Sequence, residues 1–366
     1  MARKLKSDRI LFLATILLVA VSVVMVYSAS AAIANERFGR ASTFLIKQGM
    51  WAVLGLALLA VVMRIDYRTY REPIFIWTGL GIVTVCLVLV LFSPPVNNAR
   101  RWFSIGGLGV QPSELAKLAA IFFIAALLER RMHRINELGY SLLPIGLVVA
   151  LLVSLILLEP DFGTSMSLAL VAAVMVFAAG LDYRYILGAF LCFLPAIAYI
   201  AMGASYRRRR LFTFLHPFDD PLGDGFQIIQ SLVAVGTGGV WGKGLMNGVQ
   251  KLFFLPEPHT DFIYAVISEE LGLVGATLVL VCFCVIAWRG LRVALRAPDS
   301  FGCFLALGLT TMVVVQAFVN MSVVLSLLPT KGIPLPFVSS GGSSLLINLI
   351  GMGVLLNVSQ HASSEA

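Results

Sequence analysis

The chain has 366 residues, 59% of them apolar and only 13% charged, and a mean hydropathy of +0.93. Soluble domains carry about a quarter charged residues and about 45–50% apolar ones, so an ordinary soluble enzyme and a disordered chain are both excluded. The net charge of +8 comes from 27 Lys and Arg against 19 Asp and Glu. These basic residues sit in short clusters between apolar runs, which points to lipid head groups or a phosphate-bearing substrate and not to nucleic acid.

Crossing a bilayer takes about 20 apolar residues. In chain order such runs fall near 10–34, 44–63, 73–93, 113–128, 141–158, 163–181, 185–203, 262–288, 301–328 and 343–358. The expectation is an all-α polytopic membrane protein of about ten transmembrane helices. It forms one domain over 1–366, with a short N-terminal segment 1–9 and a C-terminal tail 359–366. Arg3, Lys4, Lys6 and Arg9 ahead of an apolar run ending in Ser28-Ala29-Ser30-Ala31-Ala32 imitate a signal peptide. The run from Ile10 to Val26 exceeds the apolar core of about 7–15 residues that such peptides use, so it reads as an uncleaved helix.

If the N-terminus is cytoplasmic, that side holds fourteen Lys and Arg, against six in the short loops of the other side. Both termini are therefore expected in the cytoplasm, with one large extracytoplasmic loop at about 204–260. No internal repeat is visible, which counts against transporters built from inverted repeats. Cys86, Cys192, Cys282, Cys284 and Cys303 all fall in or beside apolar spans and read as small buried hydrophobes, with no disulfide framework.

Charges at membrane depth are costly and mark candidate sites. The fourth span opens Gln111-Pro112-Ser113-Glu114-Leu115-Ala116-Lys117. Pro112 suits a first helical position, and Glu114 and Lys117, three apart, lie about 60° from each other on one face. They are either a structural ion pair or a cation placed beside a phosphate-carrying substrate. Glu159-Pro160-Asp161-Phe162-Gly163-Thr164 breaks the chain between the fifth and sixth spans, with Asp161 or Thr164 able to cap the next helix.

The long loop opens with Tyr206 and four arginines, Arg207 to Arg210, and turns apolar and Gly-rich from Phe226 to Gly248. The run Gly236 to Gly244 fails as a nucleotide loop, because Thr237 stands where the first Gly is needed and Gly244 follows Lys243 in place of Ser or Thr. It reads instead as short interfacial or re-entrant helices packed on the bundle. The loop ends Leu255-Pro256-Glu257-Pro258-His259-Thr260-Asp261-Phe262, followed by Glu269-Glu270-Leu271-Gly272. Thr260 is placed to cap the eighth span and Asp261 to lie in its first turn. Glu269 and Glu270 are 100° apart, so at least one should point into the protein. His259, Asp261 and Glu257 lack a helical zinc spacing. These residues alone indicate an outward-facing carboxylate site near cations, and they leave enzyme and carrier open.

The segment 255–262 with Glu269-Glu270-Leu271-Gly272 resembles the signature of the SEDS family (shape, elongation, division and sporulation). So do Gln111 to Lys117, and Pro334-Leu335-Pro336-Phe337 with Gly341-Gly342-Ser343-Ser344. The likeness runs from about Asp8 to Asn357. Val26 to Ser30, Asp220-Pro221, Val249-Gln250-Lys251 and Leu328-Pro329-Thr330-Lys331-Gly332 resemble its cell-division branch more than its elongation branch. Two positions depart from the pattern: Ser339 stands near where a tyrosine commonly precedes the glycines, and Glu159 where many members have glutamine.

The resemblance implies ten helices and a peptidoglycan glycosyltransferase polymerising lipid II, an undecaprenyl-pyrophosphate-linked disaccharide-pentapeptide, at the outer face of the bacterial inner membrane during septal wall synthesis. Asp261 matches the family's catalytic carboxylate. Glu114, Lys117, Asp161, Arg207, Arg210, Lys243, His259, Lys331 and Ser343 are the expected substrate contacts. No dedicated metal site is expected, though magnesium or manganese could join the pyrophosphate. A class B penicillin-binding transpeptidase, small bitopic division proteins and membrane lipids are the implied partners. A lipid II flippase, an elongation polymerase and a non-catalytic recruiter of the transpeptidase are the alternatives.

Overall fold

The computed structural model describes residues 7–95, 99–105, 108–185, 187–188, 190–192, 195, 205–223, 225–330 and 332–362. Its helices in chain order are α1 (Arg9–Phe38), α2 (Thr43–Val62), α3 (Pro73–Val90), α4 (Pro112–Arg131), α5 (Leu143–Leu158), α6 (Phe162–Ala178), α7 (Ser205–Leu215), α8 (Phe226–Gly238), α9 (Ile263–Leu295), α10 (Ser300–Val324) and α11 (Gly342–Ala362). A short antiparallel hairpin, β1 (Phe103–Ile105) with β2 (Leu108–Val110), precedes α4. Among the described residues, seven helical segments are long and apolar enough to cross a membrane. This is a multi-pass helical membrane protein.

Helical starts follow local chemistry. The Asp8 carboxylate accepts from Ile10 and Leu11 N–H, both at 3.1 Å, and caps α1. Asp161 and Asp299 cap α6 and α10 in the same way. Pro73 and Pro112 open α3 and α4, where a missing N–H costs nothing. In hydrocarbon such internal satisfaction of the backbone is obligatory.

Burial sorts the helices into a centre and a rim. The apolar windows of α10 and α11 are 67% and 83% buried, whereas those of α2 and α5 are each 22% buried. Leu is as comfortable in lipid as in protein, so the rim helices can be apolar all round. The centre holds the polar groups. α4 carries five charged residues and is not among the seven apolar segments, yet Glu114, Lys117 and most of its residues are buried. A charged helix of this kind is tolerable only where neighbouring helices shield it.

Several boundaries differ from the sequence expectation. The span at 185–203 lies largely outside the described residues. The loop at 204–260 is partly ordered into α7 and α8. α9 continues to Leu295, past the expected end near 288, because Arg289 reaches the Asp8 carboxylate with Nε at 2.7 Å. The tail beginning at Ser359 is helical through Ala362, and the buried Ser359 hydroxyl accepts the Asp8 N–H at 3.1 Å. Both ends of the chain thus meet at one end of the bundle, and the break before α9 lies at the other.

Asp8 therefore combines a helix cap with an ion pair. Asp8→Asn keeps an oxygen for the cap and loses the charge, whereas Asp8→Ala loses both. Loss of the cap costs about 0.5–2 kcal/mol. Thermal midpoints of the detergent-purified protein should fall in the order wild type, Asn, Ala, and equal midpoints for Asn and Ala would show that the cap contributes nothing.

Candidate functional site

The site is built on an interruption of α9. Gly272 has φ 65° and ψ −164°, which breaks the helix. In an unbroken helix the carbonyls of Glu269 and Glu270 would accept from residues 273 and 274. Here they accept from Lys243 N–H at 3.0 Å and Gly244 N–H at 2.9 Å, while Leu273 and Val274 N–H turn to Gly239 and Val240 carbonyls at 2.9 and 3.2 Å. The segment after α8 is threaded into the helical ladder, and these four backbone groups freed by the break are all paired. Only glycine permits it: a Cβ on Gly242 would lie 2.2 Å from the Glu270 carbonyl oxygen, and one on Gly272 2.3 Å from Gly242 N.

Side chains tie the same junction. Glu269 and Glu270 are both fully buried, so both point inward. Glu269 accepts from Lys243 Nζ at 2.8 Å, from Val249 N–H at 2.9 Å and from Gln250 N–H at 3.1 Å. Glu270 accepts from Lys251 Nζ at 2.6 Å, from the Ser28 hydroxyl of α1 at 2.7 Å and from Met246 N–H at 3.0 Å. Lys243, expected among the substrate contacts, therefore carries its charge into this strut. Lys251 and Ser28 were not expected as site residues. They lie 223 positions apart, and no local pattern announces that they meet.

This strut leads into Asp261. The half-buried Asp261 lies two residues ahead of α9, whose N-cap is Phe262 with no side-chain bond. The expected first-turn position for Asp261 and cap role for Thr260 are thus corrected, since the Thr260 hydroxyl bonds to Glu257 instead. Neighbouring segments hold the stretch. Asn320 Nδ2 of α10 donates to both the Asp261 and the Ile333 carbonyls at 2.8 Å. The Ser339 hydroxyl donates to Thr260 O at 2.6 Å, and Ser340 N–H to His259 O at 2.9 Å. Gly332 lies against the carboxylate, so that a Cβ there would stand 2.9 Å from Asp261 Oδ2. His259 is buried with its ring on Phe44, centroids 4.6 Å apart, and its Nδ1 finds no hydrogen-bond partner among the described residues. Burial lowers its pKa against the opposing pull of Glu257, with Arg37 adding to the fall.

A second polar group forms at the start of α4. Lys117 Nζ donates to Glu114 Oε1 at 2.8 Å, with both side chains buried and Glu114 Oε2 unpartnered among the described residues. Gln111 joins the expected residues around them. Its N–H donates to the Ser343 hydroxyl at 3.3 Å and its side-chain amide to Asp161 Oδ2 at 2.9 Å. Asp161 also accepts from Thr164 N–H at 3.1 Å and from the Thr164 hydroxyl at 2.8 Å. Next to it, Gly163 packs on Ile333, the neighbour of Gly332. The structure thus joins Asp161 and Ser343 through Gln111 and places the Glu114–Lys117 pair just after it in the first turns of α4, while residues 332–333 lie between the Asp161 turn and Asp261. Arg207 and Arg210 fall on α7, but their side chains lie outside the described residues, as does Lys331. Among the described residues no three His, Cys, Asp or Glu side chains converge to hold a metal ion.

Glu159 sits beside this network, fully buried, with neither carboxyl oxygen hydrogen-bonded among the described residues. Burial and then the Asp161 charge push its pKa up to about 8, against the pull of Arg101. Arg101 itself donates to the Glu159 and Pro160 carbonyls.

The family described as "Cell cycle protein", comprising FtsW, RodA and SpoVE, matches residues 8–364. A probable peptidoglycan glycosyltransferase FtsW of Geobacter metallireducens is 45% identical over 358 residues, covering 96% of this chain and 94% of the relative. Stage V sporulation protein E of Bacillus subtilis is 41% identical over 366 residues, covering 98% and 99%. A chain from a study of the structural coordination of polymerization and crosslinking by a peptidoglycan synthase complex superimposes with TM-score 0.80 at 31% identity, covering 98% and 99%. The rod shape determining protein RodA of Thermus thermophilus gives 0.73 at 28%, covering 97% of each chain.

Glu159 makes a pH signature. Its pKa rises from 4.5 to about 8 on folding, so between these values the folded state binds the extra proton. Its contribution to stability therefore falls as pH rises through that window and levels off above it. Glu159→Gln should flatten this slope in thermal-midpoint measurements and match or exceed wild type above pH 8. A slope unchanged in the variant would exclude Glu159 as its source.

Proposed function

The chain belongs to the cell cycle protein family of FtsW, RodA and SpoVE, and from that membership and the geometry around Asp261 we propose how it works as a peptidoglycan glycosyltransferase of septal wall synthesis. Its substrate is lipid II. The acceptor sugar's 4-hydroxyl attacks the anomeric carbon of the donor glycan. The new C–O bond forms as the bond to the pyrophosphate breaks, the hydroxyl proton passes to the Asp261 carboxylate, and the lipid pyrophosphate leaves with the bonding electrons. The observation that carries this reading is the placement of Asp261. Two backbone-directed clasps, from Asn320 and Ser339, hold its stretch ahead of α9, and Gly332 against its carboxylate adjoins Ile333, on which the Asp161 turn packs.

Lys117 is the cation best placed for the charge that develops on the pyrophosphate. It is buried with a single acceptor among the described residues for its three donors, and a low-dielectric site strengthens its field. Glu114 orients it. Gln111, Asp161 and Ser343 shape the wall of the site, and His259 presents a neutral ring to the sugar. Arg207, Arg210 and Lys331 extend the cationic surface toward the lipid head groups. The described side chains offer no cage for the magnesium or manganese expected at the pyrophosphate, and no step is assigned to either metal.

The whole chain acts as one membrane domain of about ten helices, with both termini cytoplasmic and the loop at 204–260 over the outer face. A class B penicillin-binding transpeptidase cross-links the strands it makes, and small bitopic division proteins bring the pair to the septum. The similarity to a chain from a peptidoglycan synthase complex supports the transpeptidase partnership.

Asp261→Asn should abolish polymerisation from purified lipid II while leaving folding and partner binding intact. General bases contribute about 10²–10⁴-fold, so a variant keeping more than roughly a tenth of wild-type activity would remove Asp261 from the mechanism. Lipid II scrambling in proteoliposomes without polymer would instead favour the flippase. For Glu114 and Lys117, each single substitution strands a buried charge. A double-mutant cycle on polymerisation should therefore show coupling of about 0.5–3 kcal/mol. Simple additivity would make Lys117 act on phosphate independently of Glu114.

A further inference from the structure

At the end of the bundle where Asp8 meets Ser359, α1, α2 and α11 line an open cavity of about 800 Å³. That is within the range of about 300–1,000 Å³ typical of small-ligand sites. Its walls are apolar, with Phe12 and Ile16 from α1 and Leu56 and Leu59 from α2. Its polar groups gather at the helix ends, where Arg64, Asp66 and His361 lie.

The charges at this mouth are unevenly matched. The Asp66 carboxylate accepts Arg68 N–H at 3.0 Å through Oδ1 and lies 3.8 Å from His361 Nε2 through Oδ2. At the same end Arg68, Arg71 and Arg289 each reach a carboxylate. The Arg64 guanidinium makes no hydrogen bond or ion pair with any described residue, although Arg64 follows α2 by only two positions and borders the cavity. An unmatched guanidinium over an apolar slot at a membrane boundary complements one molecule of mixed character, a chain of methylenes ending in a phosphate.

The dimensions select a lipid over a helix. The lining runs from Phe12 to Ile16 on α1 and from Leu56 to Met63 along and just past α2, roughly 6 Å and 10 Å at 1.5 Å per residue. A partner's transmembrane helix needs a groove running most of the roughly 30 Å hydrocarbon thickness. An acyl chain can enter a slot this short from the side.

We propose that this cavity is a binding site for a glycerophospholipid with an anionic head group, one acyl chain lying between α1 and α2 and the phosphate on Arg64. The lipid belongs to the leaflet at the chain termini, far from Asp261, so the site is separate from that of lipid II. Filled, it wedges α1 against α2 and α11.

The test uses full-length protein and needs no polymerisation assay, so its outcome is independent of the glycosyltransferase reading. Native mass spectrometry is run with added phosphatidylglycerol or phosphatidylcholine. Wild type should retain one phosphatidylglycerol in preference to phosphatidylcholine. Arg64→Gln should lower that preference by about fivefold or more, in line with the loss of one charge-assisted contact. Ala60→Trp, which places a ring into the slot from an exposed position, should reduce retention of both lipids, and Arg296→Gln at the same end should change neither. Equal retention of the two lipids by wild type, or an undiminished preference in Arg64→Gln, overturns the proposal. Should a variant fail to fold, wild type in phosphatidylglycerol vesicles carrying a photoreactive acyl chain decides the matter. Adducts on residues 12–16 and 56–63 support the site, and adducts elsewhere, or on a co-purified membrane protein alone, refute it.

Discussion

The exchange of hydrogen bonds at Gly272 is the constraint on which the rest of the site depends. A helix deep in a membrane protein cannot simply stop, because the freed carbonyls and amides would find no water. The chain resolves this by giving Glu269 and Glu270 carbonyls to the amides of Lys243 and Gly244 and returning Gly239 and Val240 carbonyls to Leu273 and Val274. A connecting segment that could have floated over the bundle is thereby made part of a helix. Everything between residues 239 and 262, including the approach to Asp261, inherits its position from that graft.

The two buried glutamates make the graft specific. Burying a carboxylate is costly unless it is paired and hydrogen-bonded, and removing one partner of such a pair costs about 3–5 kcal/mol. Glu269 and Glu270 each collect a lysine and backbone amides from the same stretch, and Glu270 adds Ser28 from α1. A register slip of the connecting segment would strand both charges at once. The glycines permit the crossing, and the charges define which residues cross.

The membrane character and most span positions were legible from apolar run length, because hydrocarbon imposes one length scale on every crossing helix. α4 was legible for another reason: Pro112 followed by Glu114 and Lys117 marks a helix start with inward charges. Long-range partners were not legible. That Ser28 would meet Lys251, or Asn320 would join Asp261 to Ile333, depends on helix order in the bundle, which periodicity does not encode. Local capping rules also misled at Thr260. A threonine before an apolar run is a good cap in isolation, but here Ser339 takes the Thr260 carbonyl and Glu257 the hydroxyl, so the helix starts at Ile263.

The two aspartates differ in how the fold holds them. Asp161 caps α6, and both its oxygens are engaged by Thr164 and Gln111. Asp261 is excluded from the equivalent role by two residues of chain. Phe262 occupies the cap position, and the clasps from Asn320 and Ser339 grip the backbone carbonyls of Asp261 and Thr260. Holding the stretch through its main chain fixes its place in the scaffold. The same logic explains why the helix must be broken downstream: only a segment anchored on both sides, at Gly272 and at Ser339, can present a carboxylate at a helix entrance without using it as the cap.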